Sequence, residues 1–205
     1  MRISLSDAGK RFNREWIFRK FSYVFETNNA YAIVGPNGSG KSTLLQVIGG
    51  AMIASEGKIE YHICGKDYSS DDIFPNISTA PPYLELIEEM TVLEFLSFHQ
   101  TFKPFKDSFS IPSIIKLVGL EKASNKQIRY YSSGMKQRVK LAQAIFSDTD
   151  CLLLDEPCTN LDAEGIDLYQ RLITSHSHNR LVIVSSNDEQ EYGFCEEKIN
   201  VMEWK

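Results

Sequence analysis

The segment GPNGSGKS, Gly35 to Ser42, constrains this chain more than any other, because it fits the pattern G-x-x-x-x-G-K-[ST] between an apolar run and a helical one. Tyr31 to Val34 reads as a buried strand, and STLLQVIGG after Lys41 reads as a helix that Gly49 and Gly50 close. The glycines of Gly35, Pro36, Asn37, Gly38, Ser39 and Gly40 let the backbone curl so that its N–H groups face inward. The helix that follows adds partial positive charge where phosphates would sit. Lys41 is then expected to hold the β- and γ-phosphates of a nucleoside triphosphate, and Ser42 to offer its hydroxyl to Mg²⁺.

The chain has 205 residues, 42% of them hydrophobic, enough for one sizeable core in a single domain. A formal net charge of −5 does not suggest a nucleic-acid binder, whose phosphate contacts need a basic face. No signal-peptide-like stretch opens the sequence and no apolar run nears ~18 residues, so a cytosolic protein that does not itself span a membrane is expected. Cys64, Cys151, Cys158 and Cys195 form no CxxC pair and are expected as free, mostly buried thiols.

Short β-like runs occupy the first part of the chain: Arg2 to Leu5, Phe21 to Phe25 and Lys58 to Ile63, besides Tyr31 to Val34. From about residue 79 to 147 the texture is helical and aromatic. Thr91 and Glu94 form a capping box that places Val92, Phe95, Leu96 and His99 on one helix face, His99 as a packed or half-exposed residue. Further helices are expected over Pro112 to Leu117 and Met135 to Ser147. Buried strands return at CLLLDEP and LVIVSSN. Strands separated by helices argue for a mainly parallel α/β core with the helical segment inserted into it.

Two more segments carry chemistry. In CLLLDEP the strand from Cys151 ends in two adjacent carboxylates, and successive strand side chains point to opposite sides. Asp155 is expected to orient the Mg²⁺ shell and Glu156 to poise the attacking water against the γ-phosphate. In YYSSGMKQR, Ser132, Ser133 and Gly134 precede a helix and are expected to form a second anion-binding turn, an ordinary N-cap being the other reading. One nucleotide does not need two phosphate cradles from one chain.

The order GPNGSGKST, YSSGMKQR, CLLLDEP, TNLD and VSSND resembles the nucleotide-binding domain of an ATP-binding cassette (ABC) ATPase over essentially the whole chain. The resemblance implies a P-loop NTPase (RecA-like) core with a mainly parallel sheet at about 1–78 and 148–205, an N-terminal antiparallel β subdomain, and an inserted helical subdomain at about 79–147. In that family two domains stack head to tail, and the signature loop of one closes on the γ-phosphate held by the other, which accounts for the two cradles. Ser132 and Gly134 match the signature, with Ser133 a departure from its usual glycine, and Asp162 matches the loop that crosses the dimer interface. Gly35 to Thr43 match the phosphate loop, and Phe12, 29 residues before Lys41, matches the aromatic that stacks on adenine.

Two further departures bear on catalysis. Pro82 stands where the family usually has a glutamine that senses Mg²⁺ and water, and it has no side-chain donor or acceptor. Asn187 stands where a histidine usually reaches the γ-phosphate, and is expected to act there through its amide. His176 and His178 read as loop residues that do not substitute. The resemblance implies an ATP- and Mg²⁺-dependent ATPase subunit, homo- or heterodimeric, peripheral on the cytosolic membrane face beneath separate permease subunits. The YSSGMKQR form is most similar to ABC-2-type exporters. A soluble ABC ATPase without a transport role, and a weakly hydrolysing regulatory subunit, are the alternatives. Of Phe95, Phe98, Phe102, Phe105 and Phe109, most are expected in the core of the insertion, with a docking groove as the other reading.

Overall fold

The structure, a computed structural model, describes residues 1–205. Long strands β1 (Arg2–Phe12) and β2 (Glu15–Glu26) form an antiparallel hairpin that begins the chain. Then follow β3 (Ala30–Val34), α1 (Lys41–Ile48), β4 (Glu56–Ile63) and β5 (Lys66–Tyr68). The next elements are β6 (Ile77–Ala80), α2 (Val92–Gln100), α3 (Ile111–Leu117) and α4 (Ser133–Phe146). The chain closes with β7 (Cys151–Asp155), α5 (Ala163–His176), β8 (Leu181–Ser185), α6 (Glu189–Tyr192) and β9 (Glu197–Asn200).

These strands make an antiparallel sheet, β2-β1-β4-β5, and a five-stranded sheet, β6-β7-β8-β3-β9, whose pairings are all parallel. The inner strands β3, β7 and β8 are apolar almost throughout because both faces are covered. On β7, Leu152 and Leu154 enter one apolar cluster with α4 and α5, while Cys151 and Leu153 enter another with α1 and the antiparallel sheet. Val182 and Val184 of β8 divide from Leu181 and Ile183 in the same way. The period-two alternation of the strands thus separates two cores on either side of one sheet.

The expected strands are all present, some of them longer, and the capping box of α2 is formed, with Glu94 N donating to Thr91 Oγ1 at 3.2 Å and Thr91 N to Glu94 Oε2 at 2.8 Å. Thr79 and Ala80 belong to β6, paired with β7, so the sheet claims the first residues of the helical segment. Phe95 and Phe105 are buried and Phe109 packs on the core, whereas Phe98 and Phe102 are exposed as a T-shaped pair. His176 corrects its sequence reading: it is the last residue of α5, and its ring packs against Phe109 and Phe146, each at 5.1 Å. Cys151, Cys158 and Cys195 are buried and Cys64 is exposed. No helix is long and apolar enough to cross a membrane.

Between α2 and α4, His99 Nε2 lies 2.9 Å from Ser147 Oγ, whose own proton goes to the Gln143 carbonyl. The imidazole is therefore the donor, neutral and protonated on Nε2. Burial, with a smaller contribution from the nearby Lys103 cation, lowers its pKa to about 4. An unfolded histidine takes up its proton near pH ~6.5, so between that value and 4 the unfolded state binds more protons and stability falls as pH falls. This contribution should be complete above pH ~6.5 and cost about 1–3 kcal/mol by pH 4. Urea unfolding across this range should show a shallower slope for His99→Gln, and an unchanged slope would mean that His99 is not the group responsible.

Candidate nucleotide site

The phosphate loop follows β3, which lies between β8 and β9, so it opens at the carboxyl edge of the parallel sheet, where such sheets bind ligands. Gly35, Gly38 and Gly40 all have positive φ. Gly40 is required twice over: at φ 98° it caps α1 in a left-handed conformation, and a Cβ there would lie 2.3 Å from Ile17 Cγ2. Lys41 is 5% exposed, and its Nζ donates to the carbonyls of Gly35 at 2.8 Å and Pro36 at 3.3 Å. Ser39 Oγ is buried in the same loop without a partner.

The end of β7 brings Asp155 under the first turn of α1, where its Oδ1 accepts from Ser42 Oγ at 3.0 Å. Asp155 is 3% exposed and has no cationic partner. These two oxygen ligands fit Mg²⁺, which keeps several waters and takes phosphate oxygens rather than needing a full protein cage. Glu156, the next residue, has φ 44°, and its N–H donates to Ser185 O at 2.9 Å. That left-handed turn aims Glu156 into a cavity of about 370 Å³ shared with Asn37, Lys41, Ser42 and Thr43.

From the end of β8 the chain delivers Asn187 to the same loop. Its Oδ1 accepts from Gly35 N at 3.3 Å, and its Nδ2 donates to Asn37 Oδ1 at 2.9 Å. The elements after β3, β7 and β8 thus bring together Gly35 to Thr43, Asp155, Glu156 and Asn187.

The remaining sequence-predicted residues lie elsewhere. Ser132 caps α4, its Oγ accepting from Met135 N at 3.3 Å, and Ser133 opens the helix. Ser133 lines a separate cavity of about 460 Å³ with Pro82, Lys136, Lys140 and Asn160. Gly134 is held close to the loop after β7, since a Cβ there would lie 3.0 Å from Asn160 O. Asp162 caps α5 through Gly165 N at 2.8 Å and is approached by Arg138 at 3.8 Å. Pro82 contributes only its carbonyl, which accepts from Lys140 Nζ at 2.5 Å. Phe12 is 47% exposed at the tip of the first hairpin, with Lys10 Nζ 5.3 Å from its ring centre.

Three residues at the site carried no clear sequence signal. Ile17 and Tyr83 line the phosphate-loop cavity, Ile17 against Gly40 and Tyr83 91% exposed. Glu191, 5% exposed, accepts from Cys158 N at 2.6 Å and so ties the loop after Glu156 to the short helix after Asn187. Burial raises its carboxyl above the ordinary range, against the pull of its hydrogen bonds to Ser186 and Cys158.

Comparison with known proteins agrees with this geometry. A family model described as "ABC transporter" matches residues 18–159. An uncharacterized ABC transporter ATP-binding protein of Bacillus subtilis is 29% identical over 92% of this chain and 87% of its own. A cytochrome c biogenesis ATP-binding export protein of Mesorhizobium japonicum is 30% identical over 91% of each chain. Among solved structures, a putative ABC transporter ATP-binding protein from Pyrococcus furiosus superposes with a TM-score of 0.85 over all of both chains at 20% identity. With its phosphate loop, its paired strand-end carboxylates and these relatives, the chain belongs to the ABC transporter family, as an ATP-binding and ATP-hydrolysing domain.

Proposed function

We propose that two copies of this domain, or this domain and a different cassette, close head to tail on ATP and drive separate permease subunits at the cytosolic face of a membrane. One observation carries the reading: Ser133 and the phosphate loop line different cavities of one chain, so a single copy offers two incomplete anion sites. Stacking two copies would complete both.

In this scheme the backbone N–H groups from Gly35 to Thr43 and the Lys41 ammonium bind the phosphates, Lys41 exchanging its loop carbonyls for the β- and γ-oxygens. Ser42 and Asp155 hold Mg²⁺, which supplies charge neutralisation of the phosphate oxygens. Glu156 accepts a hydrogen bond from the attacking water and orients it for in-line attack on the γ-phosphorus, with ADP as leaving group. Asn187 keeps the loop in register and presents an amide donor toward the γ-phosphate. Ser132, Ser133 and Gly134 of the opposite domain complete the cradle, Asp162 lies at the domain interface, and Phe12 supplies a ring for the adenine. The YSSGMKQR form of the signature favours an ABC-2-type exporter as the assembly served.

Pro82 and Asn187 together favour slow basal turnover. Pro82 has no side-chain ligand for metal or water, and an amide is a neutral donor that cannot shuttle a proton. A misplaced or missing donor in such a site commonly costs on the order of 100-fold in rate.

Three measurements test the scheme. Glu156→Gln should bind ATP, fail to hydrolyse it, and run as a dimer on size exclusion with Mg-ATP; a tightly ATP-bound monomer would oppose self-pairing. Lys41→Ala should weaken ATP binding by roughly tenfold or more and abolish turnover in a folded protein, since its charge sits on the phosphates. Wild-type turnover in that variant would sink the phosphate-loop assignment. Asn187→His should raise single-turnover kcat at saturating Mg-ATP by up to about 100-fold with ATP affinity nearly unchanged. Equal or slower turnover would show that the site is built around the amide.

A further inference from the structure

Between α1 and the edge strand β6 runs a cavity of about 290 Å³. Leu45, Ile77, Leu153 and Phe74 make its walls apolar, and Ser42 and Asp155 bound it where α1 begins. Its one cation is Lys103, just past the end of α2.

Lys103 is only 5% exposed and enters no ion pair. Its ammonium donates to the Ile77 carbonyl and lies 3.6 Å from the centre of the Phe74 ring. A carbonyl and a ring face solvate a cation in part but leave its charge uncompensated, and burying such a charge is costly. Burial lowers the Lys103 pKa to about 8, so the ammonium still prevails at pH 7. An apolar cavity around an unpaired buried cation is complementary to an anion with an apolar tail.

Size narrows the class. At the ~30 Å³ that a water-sized group occupies, the cavity takes about ten non-hydrogen atoms. The Asp155 carboxylate also lines the cavity, so an anionic head belongs at the Lys103 end.

We infer that this cavity binds a small monoanion with an apolar tail, its head on Lys103 and its tail along the apolar side chains of Leu45 and Leu153.

Octanoate, which has ten non-hydrogen atoms, is the probe, titrated calorimetrically into the full chain without nucleotide and below its micelle concentration. Octylammonium, of matching tail and opposite charge, and neutral octanol are the comparisons. Octanoate should bind, and octylammonium should not. Octanol should bind at least tenfold more weakly than octanoate. Lys103→Met should weaken octanoate at least tenfold while ATP binding persists. Thr79→Phe, which keeps the charge but places a ring in the cavity, should also abolish octanoate binding. Absence of octanoate binding to the wild type would overturn the site. So would equal affinity for octanol or octylammonium, or undiminished binding to either variant. The comparison of the three ligands on the wild type stands even if a variant fails to fold, and none of these outcomes depends on how ATP is hydrolysed.

Discussion

A single hydrogen bond, 3.0 Å from Ser42 Oγ to Asp155 Oδ1, joins the first turn of α1 to the end of β7, and the rest of the molecule is arranged to make it possible. It requires β3 and β7 to be near neighbours in a parallel sheet, which β8 secures by pairing with both. It requires α1 to leave the loop at a fixed angle, which the left-handed Gly40 packed on Ile17 provides. It also requires Asp155, 3% exposed, to meet a hydrogen-bond donor, which the Ser42 hydroxyl supplies. Two packed cores on opposite faces of the sheet hold these conditions at once.

Much of this was legible in the sequence because each decisive segment has a local physical signature. The phosphate loop announces itself by glycines between a strand and a helix, and the strands at 151 and 181 by uninterrupted apolar residues. Other parts were silent for equally physical reasons. ISTA of β6 and EKIN of β9 are four-residue strands whose pairing, not their composition, makes them strands. The helix at 163–176 mixes Gly165 and many polar residues with a sparse stripe of Tyr169, Leu172 and Ile173, so its end at His176 looked like a loop. Glu191 sits in the polar run NDEQEY, where nothing distinguishes a buried carboxylate from a solvated one until the backbone N–H of Cys158 is seen to face it.

Pro82 and Asn187, the two departures read from the sequence, have structural counterparts that sequence could not supply. Pro82 has no side-chain donor or acceptor, but its carbonyl is engaged by Lys140, and one turn earlier on α4 Lys136 holds Glu88 at 2.5 Å. The segment after β6 is thereby fastened to the helix that carries the signature turn. Asn187, shorter than an imidazole, reaches backward to Gly35 and Asn37 rather than outward. Both residues are thus engaged by contacts within the chain.

The same inward economy governs Lys41. With its ammonium donating to the carbonyls of Gly35 and Pro36, Lys41 spans the loop and braces its curvature with the chain's own atoms. On the role proposed for Lys41, nucleotide capture would be a swap of acceptors around a standing positive charge, not the folding of a slack strand of glycines. Association should accordingly proceed at the pace of encounter, with little temperature-dependent lag, and the selectivity of the pocket should reside in how long a ligand stays.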